Sequence, residues 1–112
     1  ITEGIKDADS IRALGGKAVA TLGGVSRDQA GIINSLGLIE IRLCYDADSA
    51  GRGKTRVAIG YFNRSKVRVL DLPESRDPND LSPEELGKCS LLAPDKWAVK
   101  YGIQLNSNEN TE

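Results

Sequence analysis

Hydrophobic and polar positions along the chain follow two spacings in turn, one typical of strands and one typical of helices. Residues 39–45 have the clearest strand pattern, because Ile39, Ile41, Leu43 and Tyr45 alternate with other residues. Apolar residues three or four positions apart predict helices instead. The patterns predict strands at 1–2, 17–22, 39–45 and 66–71, and helices at 5–14, 27–36, 52–63, from 83 onward and at 94–101.

Two serines mark the starts of helices. Ser26 is followed three residues later by Gln29, and Ser82 is followed by Pro83 and then by Glu85. In each pair the serine can accept a hydrogen bond from the later amide, while the later side chain accepts one from the serine amide. Strands and helices that alternate over short connections predict an α/β fold, with about four parallel strands and helices on both faces of the sheet.

Functional sites in parallel sheets lie at the carboxyl ends of the strands, so the residues that follow each predicted strand are candidates. Carboxylates follow three of the four strands: Glu3 the first, Asp46 and Asp48 the third, Asp77 and Asp80 the fourth. Because these strand ends share one edge of the sheet, we expect the carboxylates to gather there.

Asp46 and Asp48 are two positions apart, which places them on the same side of the chain while strand geometry persists. Their side chains then start ~6.6 Å apart, and two unit charges at this separation repel by about 2.5 kcal/mol at an effective dielectric constant of about 20. A hard divalent cation relieves this repulsion, because Mg²⁺ binds one or two carboxylates together with water and phosphate oxygens. An ordinary polar turn also accounts for an Asp-x-Asp segment, so both interpretations stay open at this point.

Charged residues of opposite sign are segregated, although the chain has 15 basic and 16 acidic residues. Residues 51–70 include six basic residues and no acid, whereas residues 71–85 include six acids and one base. Such neighbouring blocks of opposite charge form either a solvated polar surface or a functional site.

The basic block opens the helix predicted at 52–63. Gly51 allows a close backbone approach where the preceding turn enters this helix. Arg52, Lys54 and Arg56 follow in its first turns, where each cation opposes the helix dipole at a cost of about a few tenths of a kcal/mol. Two interpretations of these basic residues are about equally supported: they bind a phosphate-bearing partner, or they only keep the surface soluble.

Composition narrows the possible chemistry. The chain has no histidine, which excludes histidine-dependent nucleophiles and His-ligated zinc, so acid–base or metal chemistry falls to carboxylates, Lys, Tyr or the two cysteines. Two cysteines are too few for a disulfide scaffold and fit a reducing cytoplasm. No apolar run approaches the ~20 residues of a membrane span.

Residues 53–55 resemble the end of a P-loop motif, but Asp48 stands where that motif needs its first glycine. The sequence therefore argues against a working P-loop.

Four segments in order along residues 1–90 resemble one known family. They are residues 1–7 (ITEGIKD), 20–24 (ATLGG), 43–52 (LCYDADSAGR) and 76–81 (RDPNDL). Together they resemble the Toprim domain, the metal-dependent module of DnaG-type primases, type IA and II topoisomerases, small nucleases and recombination-repair proteins. The primase branch is the most similar. The resemblance implies a Toprim (Rossmann-like) fold for residues 1–104 as one domain of a larger chain, and we expect the polar residues 105–112 to be a disordered tail.

The resemblance also implies roles for individual residues. Glu3, Asp46 and Asp48 match the family's catalytic and metal-binding acids, and Asp77 matches an acid that completes the metal site. Gly4, Asp7, Gly23, Gly51 and Asp80 are expected to support this site, and Arg52, Lys54 and Arg56 are expected to bind nucleic-acid phosphates. Asn79 departs from the family, because many primases carry a second Asp there.

The implied function is a primase-like, cytoplasmic replication domain that uses Mg²⁺ or Mn²⁺ to join ribonucleotides on a single-stranded DNA template. A helicase and other replication proteins are the further partners that this function implies. The alternatives are a small Toprim nuclease, in which the same metals activate water, and a non-catalytic metal- or nucleic-acid-binding module. Because the zinc-binding and N-terminal catalytic parts of primases have no counterpart here, we expect the isolated chain to lack much of the substrate cradle.

Overall fold

The computed structural model describes residues 1–2, 24–76 and 78–105. The helices are α1 (Arg27–Ser35), α2 (Ser49–Tyr61), α3 (Pro83–Lys88) and α4 (Pro94–Tyr101), and the strands are β1 (Ile41–Leu43), β2 (Val67–Asp71) and β3 (Ser90–Leu92). Short 3₁₀ helices at Arg64–Lys66 and Pro78–Asp80 precede β2 and α3. The helix predicted at 5–14, the strand predicted at 17–22 and the tail from residue 106 lie outside the described residues.

The predicted α/β fold with parallel strands is confirmed around β1. Strands β1 and β2 pair in parallel, and the start of the chain joins the same sheet region through a parallel bridge between Thr2 and Cys44. Strand β3 is an addition to the prediction, because it pairs antiparallel with β2 and sets Leu92 opposite Val69. A three-residue strand is too short to reveal an alternating pattern, and mixed sheets often carry one antiparallel edge strand.

Both predicted capping boxes are confirmed. The Ser26 and Gln29 pair opens α1, and the Ser82 and Glu85 pair opens α3, each with both reciprocal hydrogen bonds present. Helix α4 has the bounds that the sequence predicts, and Gly102 follows it with a φ of +65°. None of the helices in the described ranges is long and apolar enough to cross a membrane.

The main core brings together residues of both parallel strands and of helices α1, α2 and α4. Leu43 of β1 and Ile59 of α2 are among its fully buried members. The prediction was wrong at the start of the strand at 39–45, because Ile39 is 93% exposed and β1 begins at Ile41. Gly37, with a φ of +62°, lies in the turn that ends α1, and the buried alternation begins only after this turn.

Candidate functional site

The two aspartates of the Asp-x-Asp segment lie in the turn between β1 and α2. Leu43 and Tyr45 are buried in the core just before this turn, and Asp46 and Asp48 are half-buried within it. Asp48 is the N-cap of α2, and its Oδ1 accepts a hydrogen bond from the Gly51 amide at 2.7 Å. The cap holds one carboxylate oxygen in place and leaves Oδ2 for a second interaction.

Gly51 lies against the backbone of Asp46. A Cβ on Gly51 would lie 1.9 Å from the carbonyl oxygen of Asp46 and 2.7 Å from its carbonyl carbon, which no side chain can tolerate. The buried hydroxyl of Thr55 donates to the Gly51 carbonyl at 2.9 Å, one turn further along α2. Because glycine stands at this position, α2 can start directly beside Asp46 and hold the turn tightly.

The loop after β2 is joined to the residue between the two aspartates. The Ala47 amide donates to the carbonyl of Arg76 at 2.9 Å, and the Ser75 amide donates to the carbonyl of Ala47 at 2.6 Å. Ser75 adopts a φ of +63°, a conformation that non-glycine residues rarely take. The segment that leads into the Asp-Pro-Asn-Asp motif is therefore fixed beside Asp46 and Asp48.

The chain start is fixed near the same strand end. The amide of Cys44 donates to the Ile1 carbonyl at 2.8 Å, and Thr2 is fully buried where it bridges to Cys44. Thr2 directly precedes Glu3 in the sequence, as Arg76 directly precedes Asp77.

Five of the predicted site residues lie outside the described part of the chain: Glu3, Gly4, Asp7, Gly23 and Asp77. Their roles stay predictions. Within the described ranges, no three acidic or cysteine side chains come together as a group that could hold a metal ion. Among the described residues, Asp46 and Asp48 offer carboxylate oxygens, the donors that Mg²⁺ and Mn²⁺ prefer.

Asp80, a predicted supporting residue, is exposed and lies beside Arg76. Its backbone carbonyl accepts from Arg76 Nη2 at 2.6 Å, and its Oδ2 lies 4.0 Å from Arg76 Nε. These contacts close the loop after β2, which is the loop that the Ala47 hydrogen bonds attach to the Asp-x-Asp turn.

The three predicted phosphate-binding residues occupy different surroundings along α2. Arg52 pairs with Glu74 at 3.1 Å, and its guanidinium carbon lies 5.1 Å from the centre of the Tyr101 ring. Arg56 donates through Nε to the Gln104 carbonyl at 2.9 Å. Between them in sequence, the aliphatic part of Lys54 lies next to Gly24.

A further carboxylate at this edge, Asp71, was missed by the sequence analysis. Asp71, the last residue of β2, accepts hydrogen bonds from the Tyr101 hydroxyl and from Lys100 Nζ, and its side chain is 10% exposed. Burial, and then the hydrogen bond with Asp71, raises the pKa of Tyr101, and the bond to Asp71 raises the pKa of Lys100. Asp71 and Tyr101 line a cavity of about 20 Å³ together with Asp46 and Arg52.

The signal for Asp71 was present in the sequence, because it ends the predicted strand at 66–71 and the strand-end rule applies to it. Tyr101 carried no such signal. It is 30 residues away from Asp71 along the chain, and only the docking of α4 brings the two together.

Comparison with known proteins agrees with the sequence motifs. A family model described as Toprim-like matches residues 1–82. The crystal structure of the Aquifex aeolicus primase, comprising its zinc-binding and RNA polymerase domains, matches with a TM-score of 0.65 at 26% sequence identity. That match covers 88% of this chain and 28% of the primase chain, so this chain spans less than a third of that relative's length. A search of curated proteins found no significant match.

The predicted family is therefore confirmed by two independent comparisons, one of sequence and one of structure. The family match spans the Asp-x-Asp turn, helix α2 and the loop after β2, which are the parts that build the candidate site. The chain belongs to the Toprim-like family, and its domain is of the primase type.

Proposed function

We propose that this chain is the metal-binding Toprim module of a primase-type nucleotidyltransferase. In this proposal Glu3, Asp46, Asp48 and Asp77 hold Mg²⁺ or Mn²⁺, and the module acts on nucleotides at a single-stranded DNA template. Membership of the Toprim-like family and the likeness to a primase support this choice among Toprim activities. Since the match covers 28% of the primase chain, the proposal assigns much of the template binding to other parts of such an enzyme.

One observation carries the proposal. Two backbone hydrogen bonds through Ala47 join the turn that holds Asp46 and Asp48 to the loop that ends at Arg76, just before Asp77. The turn that contains Asp46 and Asp48 is thus fixed to the segment that directly precedes Asp77 in the sequence. A structural turn alone would not need this convergence, whereas a shared metal centre does.

The chain's own contribution is to position carboxylate oxygens. Asp48 caps α2 through Oδ1, so its Oδ2 can serve as a ligand without loss of the cap. The close contact of Gly51 with the Asp46 backbone fixes the distance between the strand end and the helix start. When bound, divalent ions at such carboxylates stabilise the charge that develops on the oxygens of a phosphoryl transfer.

Calorimetric titration with Mn²⁺ tests the metal centre. We expect the wild-type chain to bind Mn²⁺ and the double variant Asp46→Asn, Asp48→Asn to lose binding. The double variant Asp28→Asn, Glu84→Gln is the matched control, because both are exposed carboxylates in the first turns of α1 and α3 and their loss removes the same two charges elsewhere. Mn²⁺ binding that survives in the double variant contradicts the proposed centre.

Reaction assays separate the primase proposal from its alternatives. The purified chain is incubated with Mn²⁺, labelled ribonucleotides and single-stranded DNA, beside the variant Glu3→Gln. Ribonucleotide incorporation that the variant lacks supports the primase proposal. Cutting of the DNA that the variant lacks would instead assign a nuclease. Metal binding with neither reaction is expected of a binding module and equally of a primase module separated from its template-binding parts.

A further inference from the structure

A cleft of about 470 Å³ runs beside the first turns of α2. Arg52 and Arg56 line one side of it, four residues and therefore one helical turn apart. The segment from Tyr101 to Gln104, which ends α4 and follows it, lines the other side. Among the described residues that line the cleft, none is acidic; both arginines are positively charged, and Arg52 is paired with Glu74.

The same segment holds both arginines. Arg52 lies over the Tyr101 ring at 5.1 Å, and Arg56 donates through Nε to the Gln104 carbonyl at 2.9 Å. The contact of Arg56 uses Nε and leaves its terminal nitrogens for a ligand. A guanidinium that is already held in place loses less side-chain entropy when it binds a phosphate oxygen.

Tyr101 is a firm support for Arg52, because it is fixed on two further sides. Its hydroxyl donates to Asp71 at the end of β2, and its ring lies 6.1 Å from the ring of the buried Trp97. The position of Arg52 is therefore set by α4 and by the sheet.

We infer that this cleft is a phosphate-binding site in which Arg52 and Arg56 bind phosphate oxygens of a nucleic-acid strand or of a nucleoside triphosphate. The choice of these two sources rests on the proposed function. The volume of the cleft falls within the ~300–1,000 Å³ of small-molecule sites, and Ser49 and Gly53 of the first turns of α2 also line it.

Glu74 competes with the ligand in this arrangement. Its carboxylate pairs with Arg52 at 3.1 Å, and its side chain is 63% exposed, so it can leave without uncovering a buried group. Phosphate binding thus exchanges one exposed ion pair for another. Removal of the Glu74 charge should therefore tighten phosphate binding, whereas a cleft that takes no anion would not respond.

The test measures binding of a fluorescent single-stranded oligonucleotide by anisotropy, and of a nucleoside triphosphate by calorimetry, both in the presence of EDTA. Arg52→Gln and Arg56→Gln should each weaken binding by about tenfold and reduce the salt dependence of oligonucleotide binding by about 0.7 in the log–log slope. Lys96→Gln, on the exposed surface of α4, removes the same charge and should leave binding unchanged. Glu74→Gln should strengthen it.

The same experiment shows whether each variant is folded and which of the two ligands the cleft binds. Arg56→Lys keeps the charge and should recover part of the affinity, and thermal melts identify any variant that unfolds. If only the oligonucleotide binds, the ligand is the nucleic-acid strand; if only the triphosphate binds, the ligand is the nucleotide. Equal loss in Arg56→Gln and Lys96→Gln, or no loss in either arginine variant, overturns the inference. Because EDTA removes divalent ions, failure of the metal centre leaves this result unaffected.

Discussion

Gly51 and Asp46 are in such close backbone contact that a Cβ on Gly51 would lie 1.9 Å from the Asp46 carbonyl oxygen. The contact sets the start of α2 directly beside the end of β1. Both candidate aspartates depend on it, because Asp46 supplies the contacted carbonyl and Asp48 accepts the Gly51 amide.

Gly51→Ala should therefore destabilise the fold. The added methyl group meets backbone atoms that cannot move aside, and overpacking of this kind costs about 3 kcal/mol or more. Gly53→Ala is the control, because a Cβ there meets nothing within 4 Å and alanine favours the helix by up to ~1 kcal/mol. Urea unfolding of the two variants measures both effects, and equal stability of the two would contradict the contact.

The two roles of Asp48 can be separated by choice of substitution. Asparagine caps a helix about as well as aspartate, so Asp48→Asn should keep the unfolding free energy while Mn²⁺ affinity falls. Asp48→Ala should lose the cap and cost about 1 kcal/mol as well. Thermal melts and Mn²⁺ titration of both variants provide the comparison. An Asp48→Asn variant that binds Mn²⁺ like the wild type would leave Asp48 as a cap alone.

The burial of Tyr101, together with its hydrogen bond to Asp71, makes the stability of the fold decline at high pH. Because the pKa of folded Tyr101 is raised above its ordinary value of 10.0, its contribution to stability is complete below pH 10 and is lost as the pH rises through the folded pKa. Tyr101→Phe should remove this part of the decline. Absorbance titration at alkaline pH should also lose one tyrosine whose pKa is raised above its ordinary value. A pH dependence that is the same in both proteins would contradict the raised pKa of Tyr101.

The backbone of Ser75 offers a test of the loop that joins Asp46 and Asp48 to the second motif. At a φ of +63°, glycine is free of strain and a β-branched residue is not. Ser75→Gly should retain or raise stability, and Ser75→Val should lower it, because a β-branched side chain is strained more than serine at this φ. Urea unfolding compares the pair. If valine is tolerated as well as glycine, the loop is not held in this conformation.

The features that the sequence predicts best are those whose physics is local. Ser26 with Gln29, and Ser82 with Glu85, define helix starts within four residues, and the observed capping boxes match. The turn from Asp46 to Gly51 is similarly local. Its close approach depends on the missing side chain of Gly51, which is visible in the sequence.

The contacts that the sequence does not reveal join distant segments. The sequence predicts that Arg52 binds phosphate and gives no sign of its partners within the protein. In the structure it pairs with Glu74, 22 residues away, and lies over the Tyr101 ring. The sequence predicts the same phosphate-binding role for Lys54 as for Arg52 and Arg56, but the position of Lys54 on α2 places it beside Gly24. Which residue of a basic run lines a cleft depends on what packs against the helix, and in this protein that is the end of α4.

Nuclear magnetic resonance with Mn²⁺ tests the central claim most directly, because the ion broadens the amide signals nearest to it. At Mn²⁺ concentrations below that of the protein, the signals of residues 45–51 and of Ser75 and Arg76 should broaden first. Signals of residues 63–66, at the opposite end of the parallel strands, should persist longer, and the pattern should vanish in the Asp46→Asn, Asp48→Asn double variant. Broadening that begins elsewhere, such as at the exposed Glu84, or that survives in the double variant, would contradict a metal centre at these aspartates.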